Sequence, residues 1–294
     1  MFKKILIATD LSPASDAIID CAHGFKRIGV EQVILCHALG LRYLETLKHE
    51  MLRHVEPKLA AQKKILEQQG LETFVEIPAG IPSVEINRLA EEKDVSLIVI
   101  GSHGESLAQH LLFKFGGVAS EVLHSHQKPL LLVRTKVSEN EQGEVCAEAS
   151  CTDFRSKVLY LTDFSDTAQR AFQFLEKIVE SGCDTLTLMH VQDITRIGKY
   201  LEDRLEEFNR IDSERLEMLK SKLEELGARK VEVFLPYGHP TAEILQELRR
   251  ETYSLLVMGS QGRGFIKEVF LGSLSCKIAR EAPTSVLLVP ALRS

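Results

Sequence analysis

The feature that most limits how this chain can fold is that it repeats itself. The run from Lys3 to Ser12 (KKILIATDLS) returns from Ser156 to Ser165 (SKVLYLTDFS), and Val33–Ala38 (VILCHA) returns as Leu186–Val191 (LTLMHV). Ala79-Gly80-Ile-Pro82 matches Tyr237-Gly238-His-Pro240, and Leu97–Gly104 (LIVIGSHG) matches Leu255–Gly262 (LLVMGSQG). Leu130–Val133 matches Val286–Val289 last, so the landmarks keep one order. A chain of 294 residues suits two domains of roughly 150, and the recurrence makes them tandem copies.

Each copy alternates short apolar runs with helical patterns. Ile5–Ala8 reads as a strand, and Ser12-Pro13 places a capping hydroxyl before a proline at the first helical position of a helix running to about Lys26. Val33–Cys36 is a second strand, Thr73–Ile77 and Val231–Leu235 are third strands, and Pro82–Lys93 and Pro240–Thr252 are third helices. A long helix shows in the second copy, where Leu201, Leu205, Phe208, Leu216, Leu219, Leu223 and Leu226 recur at helical intervals until Gly227 stops them. Such alternation implies a mostly parallel sheet with helices on both faces. Ligands of such sheets sit at the carboxyl ends of the strands. Asp10, His37 and Gly101, like Asp163, His190 and Gly259, all follow strands and are expected on one edge of each sheet.

Between the copies, the stretch from Arg134 to Phe154 carries Glu139, Glu141, Glu144 and Glu148 and few large apolar residues. It reads as an acidic linker at 137–154, separating domains at 1–136 and 155–294. A net charge of −6 argues against a nucleic-acid groove or an anionic membrane surface as partner. No apolar run reaches the length of a membrane span, and the start of the chain is too short and too soon acidic for a signal peptide. The six cysteines form no CxxC, which points to free thiols in a reducing cytoplasm.

The sharpest chemical signal is the stretch from Gly259 to Ser275. Gly259, Gly262 and Gly264 let main-chain amides turn towards one point after an apolar strand. Gly272-Ser273 then opens a helix whose first amides are unpaired and partly positive, with the hydroxyls of Ser273 and Ser275 beside them. Strand, glycine turn and helix start together make a receptacle for phosphate. Asp163, and Asp10 in the first copy, could accept a hydrogen bond from a ribose or an adenine amine, or could stabilise the following helix start. His37 and His190 read mainly as packed residues bonded to backbone, with Val191 and Ala38 beside them as an apolar wall for a flat ring. His124-x-His126 lacks partners at metal spacing and reads as a solvated helix end. No Ser-His-Asp elbow, HExxH or Walker motif is present.

These residues resemble the universal stress protein family in its tandem two-domain form. The motif of that family's nucleotide-binding members, G-x2-G-x9-G-[S/T], is matched by Gly259, Gly262, Gly272 and Ser273. The resemblance implies two tandem Rossmann-like (adenine nucleotide alpha hydrolase-like) domains, each a five-stranded mostly parallel sheet with helices on both faces. It implies an adenine nucleotide, ATP or AMP, and Mg²⁺ could accompany ATP. The base would lie near Asp163 and Val191, and the phosphates against Gly259, Gly262, Gly272, Ser273 and Ser275. Leu161, Thr162, Met258, Gln261 and Leu274 complete the implied set. Family members pair through the last strand, which implies an internal pseudo-dimer of Val286–Val289 with Leu130–Val133, and a further homodimer could form.

The implied first-copy site is Ala8, Thr9, Asp10, Ala38, Gly101, His103, Gly104, Gly116, Gly117 and Val118. It departs from the pattern. Eleven residues separate Gly104 from Gly116, Gly117 stands where a hydroxyl is expected, and Ala119 replaces the second serine. Loss of hydrogen bonds worth about 1.5–3 kcal/mol each to a charged group makes this site weaker, altered or empty. His103 stands where the second copy has Gln261, which speaks against a required proton transfer there. The favoured reading is a cytoplasmic nucleotide-binding regulatory or stress-response protein rather than a dedicated catalyst. The alternatives are slow ATP hydrolysis or phosphotransfer, and a nucleotide-free scaffold.

Overall fold

The computed structural model describes residues 2–40, 45–102, 116–139, 145–149, 153–194, 204–262 and 271–292, with the backbone alone for 45–50, 137–139, 145 and 146. The chain divides into two compact units, Met1–Asp153 and Phe154–Ser294.

In the first unit, β1 (Lys4–Ala8), β2 (Gln32–Cys36), β3 (Glu72–Glu76), β4 (Leu97–Gly101) and β5 (Leu130–Val133) lie in the order β5-β4-β1-β2-β3. Every pairing among them is parallel, and Ile5 sits opposite Val33 on one side and Leu97 on the other. Ile5, Leu6, Ile7 and Ala8 are all buried, as are all five residues of β4. Successive side chains of a strand point to opposite faces, so such runs mean that helices cover both sides. β3 instead alternates exposed and buried positions at its start, as an edge strand does.

The helices of this unit are α1 (Pro13–Ile19), α2 (Ala22–Arg27), α3 (Glu45–Gln68), α4 (Pro82–Glu92) and α5 (Gly117–Ser125). Ser12 caps α1 by accepting from the Ser15 amide, with Pro13 in the first turn, as its sequence implies. The single helix expected to run to Lys26 is two helices. The chain tightens at Asp20–Cys21, where the Cys21 amide donates to Ile18 O at 3.0 Å, a bond across three residues rather than four.

The stretch read as an acidic linker holds a hairpin. β6 (Thr135–Glu139) pairs antiparallel with β7 (Val145–Ala149), Thr135 opposite Ala149, and both strands pack on α1. Average composition hid this because the strand signal is a two-residue alternation. Ala147 and Ala149 are half-buried while Glu148 between them faces water.

The second unit repeats the plan. β8 (Val158–Leu161), β9 (Thr185–Met189), β11 (Lys230–Phe234), β13 (Leu255–Gly259) and β14 (Ser285–Val289) are ordered β11-β9-β8-β13-β14, again parallel throughout. Two short strands, β10 (Gln192–Asp193) and β12 (Tyr237–Gly238), pair beyond the ends of β9 and β11. The helices are α6 (Asp166–Glu180), α7 (Leu205–Glu225), α8 (Pro240–Arg250) and α9 (Ser273–Glu281). Of the apolar series expected for the long helix, Leu216 and Leu223 are fully buried, while Leu201 lies outside the described residues. Gly227 stops α7 with φ of 107°, a left-handed conformation that suits glycine.

Candidate nucleotide site

In both sheets the chain builds outward from the first strand in one direction, then returns to its other side. The reversal falls between β8 and β13 in the second unit, which are adjacent in the sheet with Leu255 opposite Val158. Crevices at such reversals are where open α/β sheets hold ligands. Asp163 follows β8 and the glycine turn follows β13, so the two signals met separately in the sequence arrive at one place.

Their meeting is tight. Asp163 Oδ1 accepts from the Ser165 amide at 3.1 Å and from the Ser165 hydroxyl at 2.5 Å. Ser165 itself caps α6, accepting from the Ala168 amide at 3.2 Å. The other carboxylate oxygen, Oδ2, lies 2.8 Å from the point where a Cβ at Gly262 would stand. Any side chain at Gly262 would therefore enter the space beside the Asp163 carboxylate. One oxygen of Asp163 fixes the helix start, as one of its two readings has it, and the other borders the glycine turn.

The residue after Asp163 carries strain. Phe164 has φ of 59°, and its counterpart Leu11 has φ of 63°. Large residues in the left-handed region cost about 1–3 kcal/mol, and such strain concentrates at functional sites. The turn is pinned by Thr162 Oγ1, which accepts from the Phe164 amide at 2.9 Å. It also directs the Phe164 ring onto His190, with centroids 4.7 Å apart. His190 is buried, and its Nδ1 lies 2.7 Å from Thr162 O. This is the packed, backbone-bonded role expected for it, and His37 repeats it with Thr9 O at 2.9 Å.

Helix α7 adds Asp212, which the sequence did not single out, and Arg215, whose charged stretch reads in the sequence as a wetted helix side. Asp212 Oδ2 is 3.6 Å from His190 Nε2 and accepts from Gln192 Nε2 at 3.1 Å. The Arg215 guanidinium stands 5.2 Å from the Phe164 ring centre. The left-handed turn is implied by no residue type in Asp-Phe-Ser, and the face α7 lays over the strand ends depends on packing. The repeated Asp-x-Ser pattern was the one available signal.

On the other side of the crevice, Gly259 is closely covered. A Cβ there would meet Thr167 Cγ2 at 2.9 Å and Gln261 O at 3.2 Å. Gly272 donates its amide to Ser260 O at 2.7 Å, bringing the start of α9 back to the end of β13. Gly272 caps α9 with no side-chain hydrogen bond. The cap residue itself thus supplies no side-chain acceptor to the first amides of the helix, which carry partial positive charge. Ser273 is exposed and Leu274 half-buried. Ser275 differs from its expected role as a phosphate donor. It is buried, and its hydroxyl donates to Gly259 O at 3.0 Å, so it ties helix to strand. Leu161, Thr162, Met258 and Gln261 are buried at the same strand ends, and Val191 is half-buried beside them. Gly264 lies outside the described residues.

The first unit keeps the frame with different fittings. Asp10 Oδ1 accepts from the Ser12 amide and hydroxyl at 3.1 and 2.5 Å and also from the Ser15 hydroxyl at 2.6 Å. Ser15 stands where the second unit has Ala168. Gly101 ends β4, and the Gly116 amide donates to Ser102 O at 3.0 Å as Gly272 does to Ser260. Gly117 and Val118 are exposed, and buried Ala119 holds the position of Ser275 without its hydroxyl. Ala8 and Thr9 are buried and Ala38 half-buried, while His103 and Gly104 lie outside the described residues.

Elsewhere the chemistry is quiet. Among the described residues no group of three or more His, Cys, Asp or Glu could hold a metal ion. The helix-end pair His124 and His126 is not uniformly solvated as expected. His126 is buried with Nδ1 2.9 Å from Leu123 O, while His124 is exposed. Cys21, Cys36 and Cys183 are buried free thiols. Burial, reinforced by Glu76 and Glu85, pushes the Cys36 thiol up to about 12. No helix among the described residues is long and apolar enough to cross a membrane.

Fold and site together define a tandem, doubly wound α/β protein with a glycine turn at the switch point of its second sheet. A family model described as the universal stress protein family matches residues 1–134 and 155–290, and the chain belongs to that family. The β6–β7 hairpin falls between the two matched segments. Universal stress protein MJ0577 of Methanocaldococcus jannaschii is 30% identical over 161 residues, covering 47% of this chain and 98% of that protein. A universal stress protein of Mycolicibacterium smegmatis is 25% identical over 304 residues, covering 97% of this chain and 96% of that one. The crystal structure of a universal stress protein from Archaeoglobus fulgidus matches with a TM-score of 0.72 at 25% identity, over 98% of this chain and 97% of that one.

Proposed function

We propose that the second unit binds an adenine nucleotide, ATP or AMP, and that the protein acts as a nucleotide-responsive regulator in stress rather than as a dedicated catalyst. The phosphates lie against Gly259, Gly262, Gly272 and Ser273, with the base towards Asp163 and Val191. The observation that carries this is the 2.8 Å approach of Asp163 Oδ2 to the missing side chain of Gly262. It makes the glycine turn and the strand-end carboxylate two walls of one cradle that a Cβ would fill. The start of α9, which its glycine cap leaves without a side-chain acceptor of its own, supplies the positive end. When bound, ATP would bring negative charge to those amides, and Mg²⁺ could accompany it. The domains proposed to carry the paired sites are 1–136 and 155–294, the first weaker because Gly117 and Ala119 replace two hydroxyls.

Calorimetric titration of ATP and of AMP into the purified chain tests the reading, with Gly262→Val and Ser273→Ala as controls. Saturable heat lost in Gly262→Val supports it, and no heat from either nucleotide overturns it. Incubation with ATP and Mg²⁺ separates regulator from catalyst: turnover that vanishes in Gly262→Val would assign hydrolysis to this site.

A further inference from the structure

The duplicated units present the same face with opposite charge. α4 packs on α5 in the first unit, and α8 packs on α9 in the second. The Gly-x-Pro turns that open α4 and α8 align Glu91 with Arg249, and the glycine caps of α5 and α9 align Glu121 with Lys277. Helices α4 and α5 together hold four carboxylates against one guanidinium, a net of −3; α8 and α9 hold three carboxylates against four cations, a net of +1.

The shapes also correspond. In the second unit, Arg249 and Lys277 line an open cleft of about 710 Å³ whose apolar lining includes Pro240, Ala242 and Leu245. Neither cation has a carboxylate partner among the described residues. In the first unit, the corresponding face shows large apolar side chains to water: Ile81 is 50% and Val84 55% exposed. Val84 stands where the second unit has Ala242, so one face offers a knob where the other offers room. Glu121 is held in place by the Ser83 hydroxyl, which donates to it at 2.8 Å. Contiguous exposed apolar side chains rimmed by charge mark association surfaces.

We infer that the α4–α5 face of one copy docks into the α8–α9 cleft of a second copy of this chain. Ile81 and Val84 enter the apolar part of the cleft, and Glu91 and Glu121 meet Arg249 and Lys277. The occupant is a second copy because both faces descend from one duplicated pair of helices. The acidic pair therefore holds the positions on its two helices that the basic pair holds on the equivalent helices. Complementary charge of this kind steers encounter and fixes register. The inference does not depend on nucleotide binding.

Sedimentation velocity of the full chain from about 1 to about 100 µM, a span that covers ordinary reversible association, tests it. We expect mass to rise above one chain with concentration, and the association to weaken several-fold between low and high salt. Arg249→Glu with Lys277→Glu, and separately Glu91→Lys with Glu121→Lys, should each raise the dissociation constant at least about tenfold. Mixing the two double variants should restore association, because each then offers the other a complementary contact. The mixture also guards against a variant that merely misfolds, since a misfolded chain is not rescued. A single-chain mass throughout, reversals without effect, or no recovery on mixing would overturn the inference.

Discussion

Gly262 and Asp163 form the smallest unit on which the functional reading stands. Because a Cβ at position 262 would lie 2.8 Å from a carboxylate oxygen, Gly262→Val should remove adenylate binding. Gly262 is exposed, so its melting temperature should shift little. Calorimetry and a thermal melt on one preparation check both. The two serines separate by the same logic. Ser273 is exposed, and Ser273→Ala should weaken nucleotide by about tenfold at unchanged stability, the worth of one hydrogen bond to a charged group. Ser275 is buried on Gly259 O, so Ser275→Ala should instead cost about 1 kcal/mol of stability by denaturant melt, with affinity falling less than in Ser273→Ala. Equal behaviour of the two variants would contradict this division. The glycines were legible in sequence because spacing alone demands bare amides; the orientation of Ser275 was not, since either rotamer satisfies the same motif. The Cys36 thiol, raised to about 12, stays protonated at pH 8. It should resist iodoacetamide there until the chain is unfolded, by mass spectrometry of the labelled peptide.

At the scale of elements, the interior strands were readable because each buries both faces and becomes a short, continuous apolar run, as in Leu255–Met258. The third helices were readable because a proline just after a Gly-x turn suits the first turn of a helix, as Pro82 and Pro240 do. Less legible were features set by tertiary contact. The break between α1 and α2 carries no proline, and Asp212 and Arg215 matter only because α7 brings them to His190, Gln192 and Phe164. The hairpin was hidden by its composition, yet it covers α1. Deleting 135–149 should uncover that helix and lower the melting temperature of the first unit by about 3 °C or more, near 1 kcal/mol for a domain of this size. Calorimetric scanning of the full chain reads this, and an unchanged melt would show the hairpin to be passive.

Taken whole, the molecule is one plan used twice with unequal fittings. Both units keep the switch point, the strained turn after the first strand and the glycine-capped helix. Only the second keeps the full run of glycines and serines, which is why function is assigned there. The duplication was evident from the sequence alone, since matching runs in matching order need no structure to be seen. The opposite charge of the α4–α5 and α8–α9 faces was equally written there, but needed the helices to be placed before it meant anything. The most direct test is titration of ATP into the intact chain beside Gly262→Val. The proposed site predicts one dominant binding event per chain that the substitution abolishes. Two equal events, or one that survives Gly262→Val, would contradict it.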